Sequence, residues 1–563
     1  MTGTVTGRRK NAPDQAVGGP RATAQRPAIR QTRPSGAATS DTPRDPHIET
    51  LALRERFRDD YLARRDPIAD QRLLWRAQSF RHLVHLTPGQ SILELGCGQM
   101  RFTRQLVTVS RGESPIVAAR FRSADEPPSD EPPAAGDGPT DEPVERVALD
   151  ALPGVLAGRK FDCVVGLDLL DARNCAAVLG AVHELLAPGG QAVFFESNPW
   201  NPWLRLKRLL ARHFAGADPR GLLSRPRLYE LFSDVGFIRV FAVYTDFVYA
   251  PLTRRLIWAL RNLSILAENT PLLRSFAGTI LVHAQKPPRL QMRPSRPLCD
   301  HESLKRAVSV VVPCHNEEMN IGPLIDRLLE LYGDYIHEIV PVDDNSVDGT
   351  AAVMARYAEA DPRVRPVYRT PPNGVGRAIA DGFRAASGDW VLSMDCDFQH
   401  LLSEVRDLFD SAAKGAPAVF GSRFSRHSVL LNYPLPKIVA NRAFHVIAQF
   451  ALRRRFRDLT NNLKLLRRDV VDGLVLTAPG FAINAETGLQ PLLMGYPVAE
   501  VPISWINRTF DMGRSSFHVM RVGGGYVAVL WDAFLARNFA RGRYRALLAK
   551  AARADAAEWP SPT

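Results

Sequence analysis

The sequence predicts an α/β protein built from two open sheets in series, preceded by a tail with no fold of its own. Three observations carry that expectation. Strand-like apolar runs alternate with helical patterns twice, from about 70 to 285 and again from about 305 to 540. A proline-rich stretch, KPPRLQMRPSRPLCD at 286–300, separates the two series. The length of 563 residues exceeds one ordinary domain, while 45% apolar and 23% charged residues are globular values.

In chain order, residues 1–45 carry eight basic and three acidic residues and almost nothing large and apolar, so 1–47 is expected to be a disordered basic tail. Its opening, MTGTVTGRRK, has no apolar core behind the basic residues, and a secretory leader is not expected there. A first domain spans 48–285. It starts with helical patterns at roughly 48–65 and 67–85 and then the strand SILELGCGQ. Within it, 124–145 holds eight acidic residues, six prolines and no basic residue, which suits a disordered insert and not a core.

Residues 286–304 are expected to be a linker. A second domain spans 305–545, and its first helix sets Ile321, Leu324, Ile325, Leu328, Leu329 and Tyr332 on one face. Residues 546–563 are expected to be a closing tail. Six cysteines without a CxxC pair argue against a disulfide framework or structural zinc. No run of 18 uncharged apolar residues exists to span a membrane. A cytoplasmic protein is expected, peripheral on the inner face of the cell membrane.

The net charge of +13 favours anionic partners without choosing among them. A nucleic-acid binder would gather that charge in a stripe with stacking aromatics. Here it is scattered through the tail and several helices, so no nucleic acid is expected.

The second domain places its chemistry at strand ends. SVVVPCHNEE leaves Asn316 and Glu317 beyond an apolar run, and HEIVPVDDNSVDGT ends in Asp343 and Asp344. DWVLSMDCDFQH ends in Asp395 and Asp397, and PAVFGSRF ends in Arg423. Ligands of open parallel sheets bind beyond the carboxyl ends of the strands. A nucleoside diphosphate needs a hard divalent cation, and carboxylates such as the pair in Asp-Cys-Asp supply its oxygens. Asp343 either joins that site or caps the next helix, and Cys396 has the size of a packing residue.

These stretches, with GVGRAIADGFRAASGDW, RDLTNNLKLLRRDV and YPVAEVPISWINRTFDMGRSSF, resemble family-2 glycosyltransferases of the GT-A fold over about 305–520. The branch they resemble is that of dolichol-phosphate mannosyltransferases and polyprenyl-phosphate glycosyltransferases. The resemblance implies that Pro313, His315, Asn316, Glu317 and Asp344, with Asp343 and Cys396 beside them, bind the nucleotide sugar. It implies Mg2+ or Mn2+ on Asp395, Asp397 and Gln399, and the diphosphate on Arg423 and Arg508. A polyprenyl-phosphate acceptor brings its own anionic oxygen and needs no strong base. An alcohol acceptor would need one, and Glu486 is the candidate; otherwise Glu486 orients other groups.

Two segments bear on a lipid acceptor. ANRAFHVIAQFALRRRFR at 440–457 and NPWNPWLRLKRLLARHF at 198–214 interleave large apolar residues with arginines. Each fits a membrane face or an ordinary amphipathic helix.

In the first domain, SILELGCGQMRFTRQL, RVALDALP, FDCVVGLDLLDAR and LLAPGGQAVFFESNP resemble class I S-adenosylmethionine-dependent methyltransferases over about 70–285. The resemblance implies cofactor contacts from Glu94, Gly96, Gly98, Asp150 and Asp168. Met100 stands where relatives carry another glycine, and the second strand ends in Arg120 and Arg122 where they carry an acid.

The expected class is therefore α/β with two Rossmann-like domains, a methyltransferase-like sheet followed by a GT-A sheet. The expected function is metal-dependent, inverting sugar transfer to a polyprenyl phosphate. The methyltransferase-like domain either methylates a pathway intermediate with S-adenosyl-L-methionine or serves as a non-catalytic scaffold.

Overall fold

In the computed structural model the described residues are 46–551, apart from 65, 67, 123–143, 212–220, 249–253, 269, 271, 289–296, 398–399, 426–427, 432, 434 and 507–518. The expected basic tail, most of the acidic insert, the middle of the expected linker, Gln399 and Arg508 therefore lie outside them. The described residues all belong to one compact unit that begins at Arg44.

The N-terminal lobe holds β1 (Ile92–Leu95), β2 (Ile116–Phe121), β3 (Val144–Leu149), β4 (Phe161–Leu167), β5 (Leu186–Ser197), β6 (Ile238–Thr245) and β7 (Thr279–Gln285). Their order across the sheet is β3-β2-β1-β4-β5-β7-β6. β1 (ILEL) is buried along its whole length, as a strand covered on both faces must be. Helices α1 (Pro46–Arg64), α2 (Ala69–Leu83) and α3 (Arg101–Ser110) open this lobe.

The C-terminal lobe holds β8 (Val308–Cys314), β9 (Ile336–Asp343), β10 (Val367–Tyr368), β11 (Trp390–Ser393), β12 (Ala418–Ser422), β13 (Leu430–Leu431), β14 (Lys464–Arg467), β15 (Val498–Pro502) and β16 (Trp505–Ile506). Seven of these strands run β10-β9-β8-β11-β14-β12-β15, while β13 and β16 pair separately.

Both large sheets are mixed where alternation alone suggested parallel ones. β7 is antiparallel to β5 and β6, and β14 is antiparallel to β11 and β12. Strand–helix alternation records which segments are extended and says nothing of direction. After β12 the chain makes the helix Leu435–Leu452 and re-enters the sheet as β14 from the same edge. The excursion 423–463 consequently stays on the carboxyl side of the sheet.

Two ends of the expected organisation also differ. Leu298 and Cys299, placed in the linker, are buried in the core around β8 and the helix Glu318–Tyr332. Leu547, placed in the closing tail, lies in a short helix, Arg545–Ala551, and is buried against the helices beside β14.

The lobes are joined by ion pairs and by apolar side chains. Arg406 donates to both oxygens of Glu113 at 2.8 and 3.0 Å. Arg111 pairs with Asp407 and, at 3.4 Å, with Asp410. Val429, from the excursion, is buried in the N-terminal core beside α2 and α3.

Candidate active site at the carboxyl edge of the C-terminal sheet

β8 ends at Cys314, and the chain turns through His315, Asn316 and Glu317 into the helix Glu318–Tyr332. Asn316 takes a left-handed conformation (φ 57°), which asparagine tolerates. The loop after β9 stitches itself to this turn. The amide of Asn316 donates to Ser346 Oγ at 2.9 Å, and Asn316 Oδ1 accepts the amide of Val347 at 2.9 Å. Glu317 N donates to Thr350 Oγ1 at 2.8 Å, and His315 Nδ1 lies 3.0 Å from Asp344 O.

The two aspartates at the end of β9 are buried and engaged. Asp343 Oδ1 accepts the amide of Ser346 at 3.1 Å. Asp348 is the acid that takes the amide of Thr350, at 3.0 Å, where the next helix starts. Asp344 is ion-paired with Arg369 and accepts the amide of Gly374 at 2.6 Å. Pro313 is half-buried at the end of β8.

Beyond β11, Met394 and Cys396 point into the core beneath β8 with Cys314. Contact with Cys314 and burial push the Cys396 thiol well above its ordinary range, which suits packing and not reactivity. Asp395 stays half-buried and Asp397 is buried at 9% exposure. Asp395 Oδ1 accepts Asn462 Nδ2 at 2.9 Å, and Asn462 Oδ1 accepts Ser393 Oγ at 2.7 Å. Asn461 Nδ2 donates to Gly421 O at 3.1 Å, while its Oδ1 lies 3.0 Å from His400 Nε2. These asparagines tie the start of β14 to the ends of β11 and β12. TNNLK carried the signal, but only the strand order gives the two amides work to do.

Arg423 follows β12 and is buried, its guanidinium laid on Asp458 at 2.7 and 3.0 Å. It also donates to Tyr433 Oη at 3.1 Å and Thr460 Oγ1 at 3.2 Å. Burial alone would raise the Asp458 carboxyl, but Arg423 beside it holds it well below the usual carboxylate range. Burial pushes His445 down to about 4 despite Asp458 at 3.5 Å. A neutral His445 accepts the amide of Leu459 at 2.8 Å.

Glu486 sits in the first turn of the helix Ile483–Leu493 and is fully buried. Its carboxylate accepts the amides of Thr477 (2.8 Å) and Ala478 (2.9 Å), Thr477 Oγ1 (2.7 Å) and Tyr544 Oη (2.7 Å). Four donors fill its acceptor positions. The loop it holds receives Gly376 N on Pro479 O at 3.1 Å.

The candidate residues of the other lobe lie at the carboxyl edge of its own sheet. Glu94, on β1, is buried and accepts Thr103 Oγ1 at 2.6 Å; burial pushes it up to about 7. Gly96 and Gly98 have φ of 72° and 51°. Asp168 (φ 51°) accepts Ser197 Oγ at 2.6 Å. Asp150 is exposed after β3 and pairs with Arg122 at 3.3 Å.

Comparison with known proteins concerns the C-terminal lobe. Residues 309–475 match the family model "Glycosyl transferase family 2". The chain is 30% identical over 219 residues to polyprenol monophosphomannose synthase of Mycolicibacterium smegmatis, covering 37% of this chain and 80% of that one. It is 31% identical over 200 residues to dolichol-phosphate mannosyltransferase of Pyrococcus furiosus, covering 35% and 56% respectively. Among solved structures, glucosyl-3-phosphoglycerate synthase of Mycobacterium tuberculosis with Mn2+ and UDP-glucose is 23% identical, with a TM-score of 0.32 over 44% of this chain and 84% of that one. Through its C-terminal lobe, the chain belongs to glycosyl transferase family 2.

Proposed function

We propose that this glycosyltransferase moves a sugar from a nucleotide sugar to a polyprenyl phosphate at a membrane surface, with inversion. The observation that carries the choice of acceptor is the state of Glu486. A carboxylate already accepting four hydrogen bonds has no lone pair left to take a proton from an alcohol. An acceptor whose oxygen is anionic at neutral pH needs no such base, and the protein's work is then alignment and charge stabilisation.

The surface beside the site suits a lipid. The helix Leu435–Leu452 leaves Val439, Ile447 and Phe450 exposed, Phe450 at 81%. It packs beside the helix Val519–Phe539 through Phe444 and Tyr526 rings 5.5 Å apart, and that second helix leaves Val527 and Trp531 exposed. Arg453, Arg454 and Arg455 follow at the rim, all exposed. Apolar side chains bounded by arginines fit the interface of an anionic bilayer. Among the described residues no helix is long and apolar enough to cross a membrane.

In this reading the turn Pro313–Glu317 and Asp344 hold the nucleotide. Asp395 and Asp397 are hard oxygen donors suited to Mg2+ or Mn2+, which when bound neutralises charge on the departing diphosphate. Asn462 fixes the rotamer of Asp395. Arg423, engaged by Asp458, acts as a positioning residue that shapes the wall below Tyr433 and Trp505, not as a clamp on phosphate.

The test incubates the chain with a panel of nucleotide sugars, Mn2+ or Mg2+ and polyprenyl phosphate, and follows radiolabel into lipid. Asp397→Asn is expected to lower turnover by about a hundredfold or more. Transfer to alcohols but not to the lipid phosphate would overturn the choice of acceptor.

A further inference from the structure

We infer that the crevice at the carboxyl edge of the N-terminal sheet is filled by the chain's own helix α1, so that this lobe takes no adenosyl-type cofactor. The inference rests on that sheet and α1 alone, independently of the glycosyl-transfer reading.

Ligands of an open sheet sit where the strand order reverses, which here is between β1 and β4. Their polar groups use the backbone N–H groups of the glycine turn and the start of the helix behind it. In this chain α1 has taken those donors. Glu55 Oε1 accepts Gly98 N at 2.5 Å, and Glu55 Oε2 accepts Phe121 N, at the end of β2, at 3.0 Å. Asp59 Oδ2 accepts Gln99 N at 2.9 Å. On the β4 side, Arg58 donates to Leu167 O at 3.2 Å. Arg54 donates to Leu169 O and pairs with Asp171 at 3.2 Å. One helix thus bridges the ends of β2, β1 and β4.

The space is used as fully as the hydrogen bonds. A Cβ placed on Gly98 would fall on the Asp59 carboxylate. One placed on Gly96 would lie 2.9 Å from Leu169 Cδ2 and 3.6 Å from Arg58 Nη1. The close backbone approach that Gly98 permits therefore serves α1, and that of Gly96 serves Leu169 beside it. Glu94 is turned to Thr103 inside the lobe and buried at 1% exposure, away from any ribose. The helix is also anchored from below, because Ile48, Leu51 and Ala52 are buried in the core of the sheet. Lifting α1 would expose all three to water. What remains for the lobe is the contact with the glycosyltransferase lobe through Glu113, Arg111 and the core around Val429.

Calorimetric titration of the full chain with S-adenosylmethionine tests this directly and requires no variant. No saturable heat is expected; stoichiometric, saturable binding would overturn the inference. Hydrogen exchange supplies a second measurement. Glu55→Ala is expected to speed exchange in peptides covering 96–99 and 119–122 by about tenfold or more, since the two amides lose their carboxyl acceptor. Peptides from β8 and β11 should not change. Unchanged exchange at Gly98 and Phe121 would overturn the docking of α1. Donor turnover measured on the same preparations separates the two readings, because neither outcome here alters what the C-terminal site requires.

Discussion

At the carboxyl edge of the C-terminal sheet, the turn His315–Glu317 is bound by the loop after β9 and Asp395 by Asn462 before β14, which leaves Asp395 half-buried at the rim. At the matching edge of the N-terminal sheet, the amides of Gly98, Gln99 and Phe121 are spent on carboxylates from α1. The charges are managed differently as well. In the C-terminal lobe, Asp344 and Asp458 are held by Arg369 and Arg423. In the N-terminal lobe, burial pushes Glu55 and Glu94 up to about 7 and Glu196 to about 8. Similar seven-stranded frames thus end in one edge that keeps Asp395 at its rim and one edge closed over by α1.

The harshest way to break this comparison is to leave a paired charge alone. Arg423→Ala strands Asp458, at 0% exposure, without its cation and should cost about 3–5 kcal/mol in denaturant unfolding. A cost below about 1 kcal/mol would show that water reaches Asp458.

The N-terminal carboxylates sharpen the contrast through pH. Glu94 binds its proton more tightly in the folded chain than at its ordinary 4.5, so folding takes up a proton. The stability it contributes is complete below about 4.5 and is lost as pH rises through about 7, an effect of about 3 kcal/mol. Glu94→Gln should flatten the fall in thermal stability between pH 5 and 8. An unchanged slope would place the effect on other groups.

A smaller effect is expected from Gly98→Ala. It puts a side chain at φ 51° and against Asp59, costing about 1–2 kcal/mol from the backbone alone. Faster exchange at Gln99, with glycosyl transfer retained, is the expected result. Weakest of all is Arg406→Ala at the lobe contact, a partly exposed pair worth about 0.2–1 kcal/mol in chemical denaturation.

The strand ends of the C-terminal sheet were legible because each motif is short and contiguous. VDDNSVDGT and MDCDFQH announce acids after apolar runs, and the structure sets Asp344, Asp395 and Asp397 just beyond their strands with Asp343 closing β9. What those acids and arginines bind was not legible. Arg423 meets Asp458 35 residues on, and Glu486 meets Tyr544 58 residues on. Neither separation has a periodicity to detect. The same limit applies to α1, where the sequence shows a helical pattern at roughly 48–65 and nothing of what RERFRDD meets. Glu55, Arg58 and Asp59 are withdrawn from water only because strands distant in sequence offer backbone groups to them. Strand direction escaped for a related reason: β7 and β14 carry the same apolar pattern whichever way they run.

Val429 gives the excursion between β12 and β14 a footing in the other lobe. In the proposed reading, the wall facing the acceptor is thereby buttressed from outside its own sheet. Mechanical loosening of the N-terminal half should accordingly be felt first as a change in which acceptors are taken, and only later in how the donor is held.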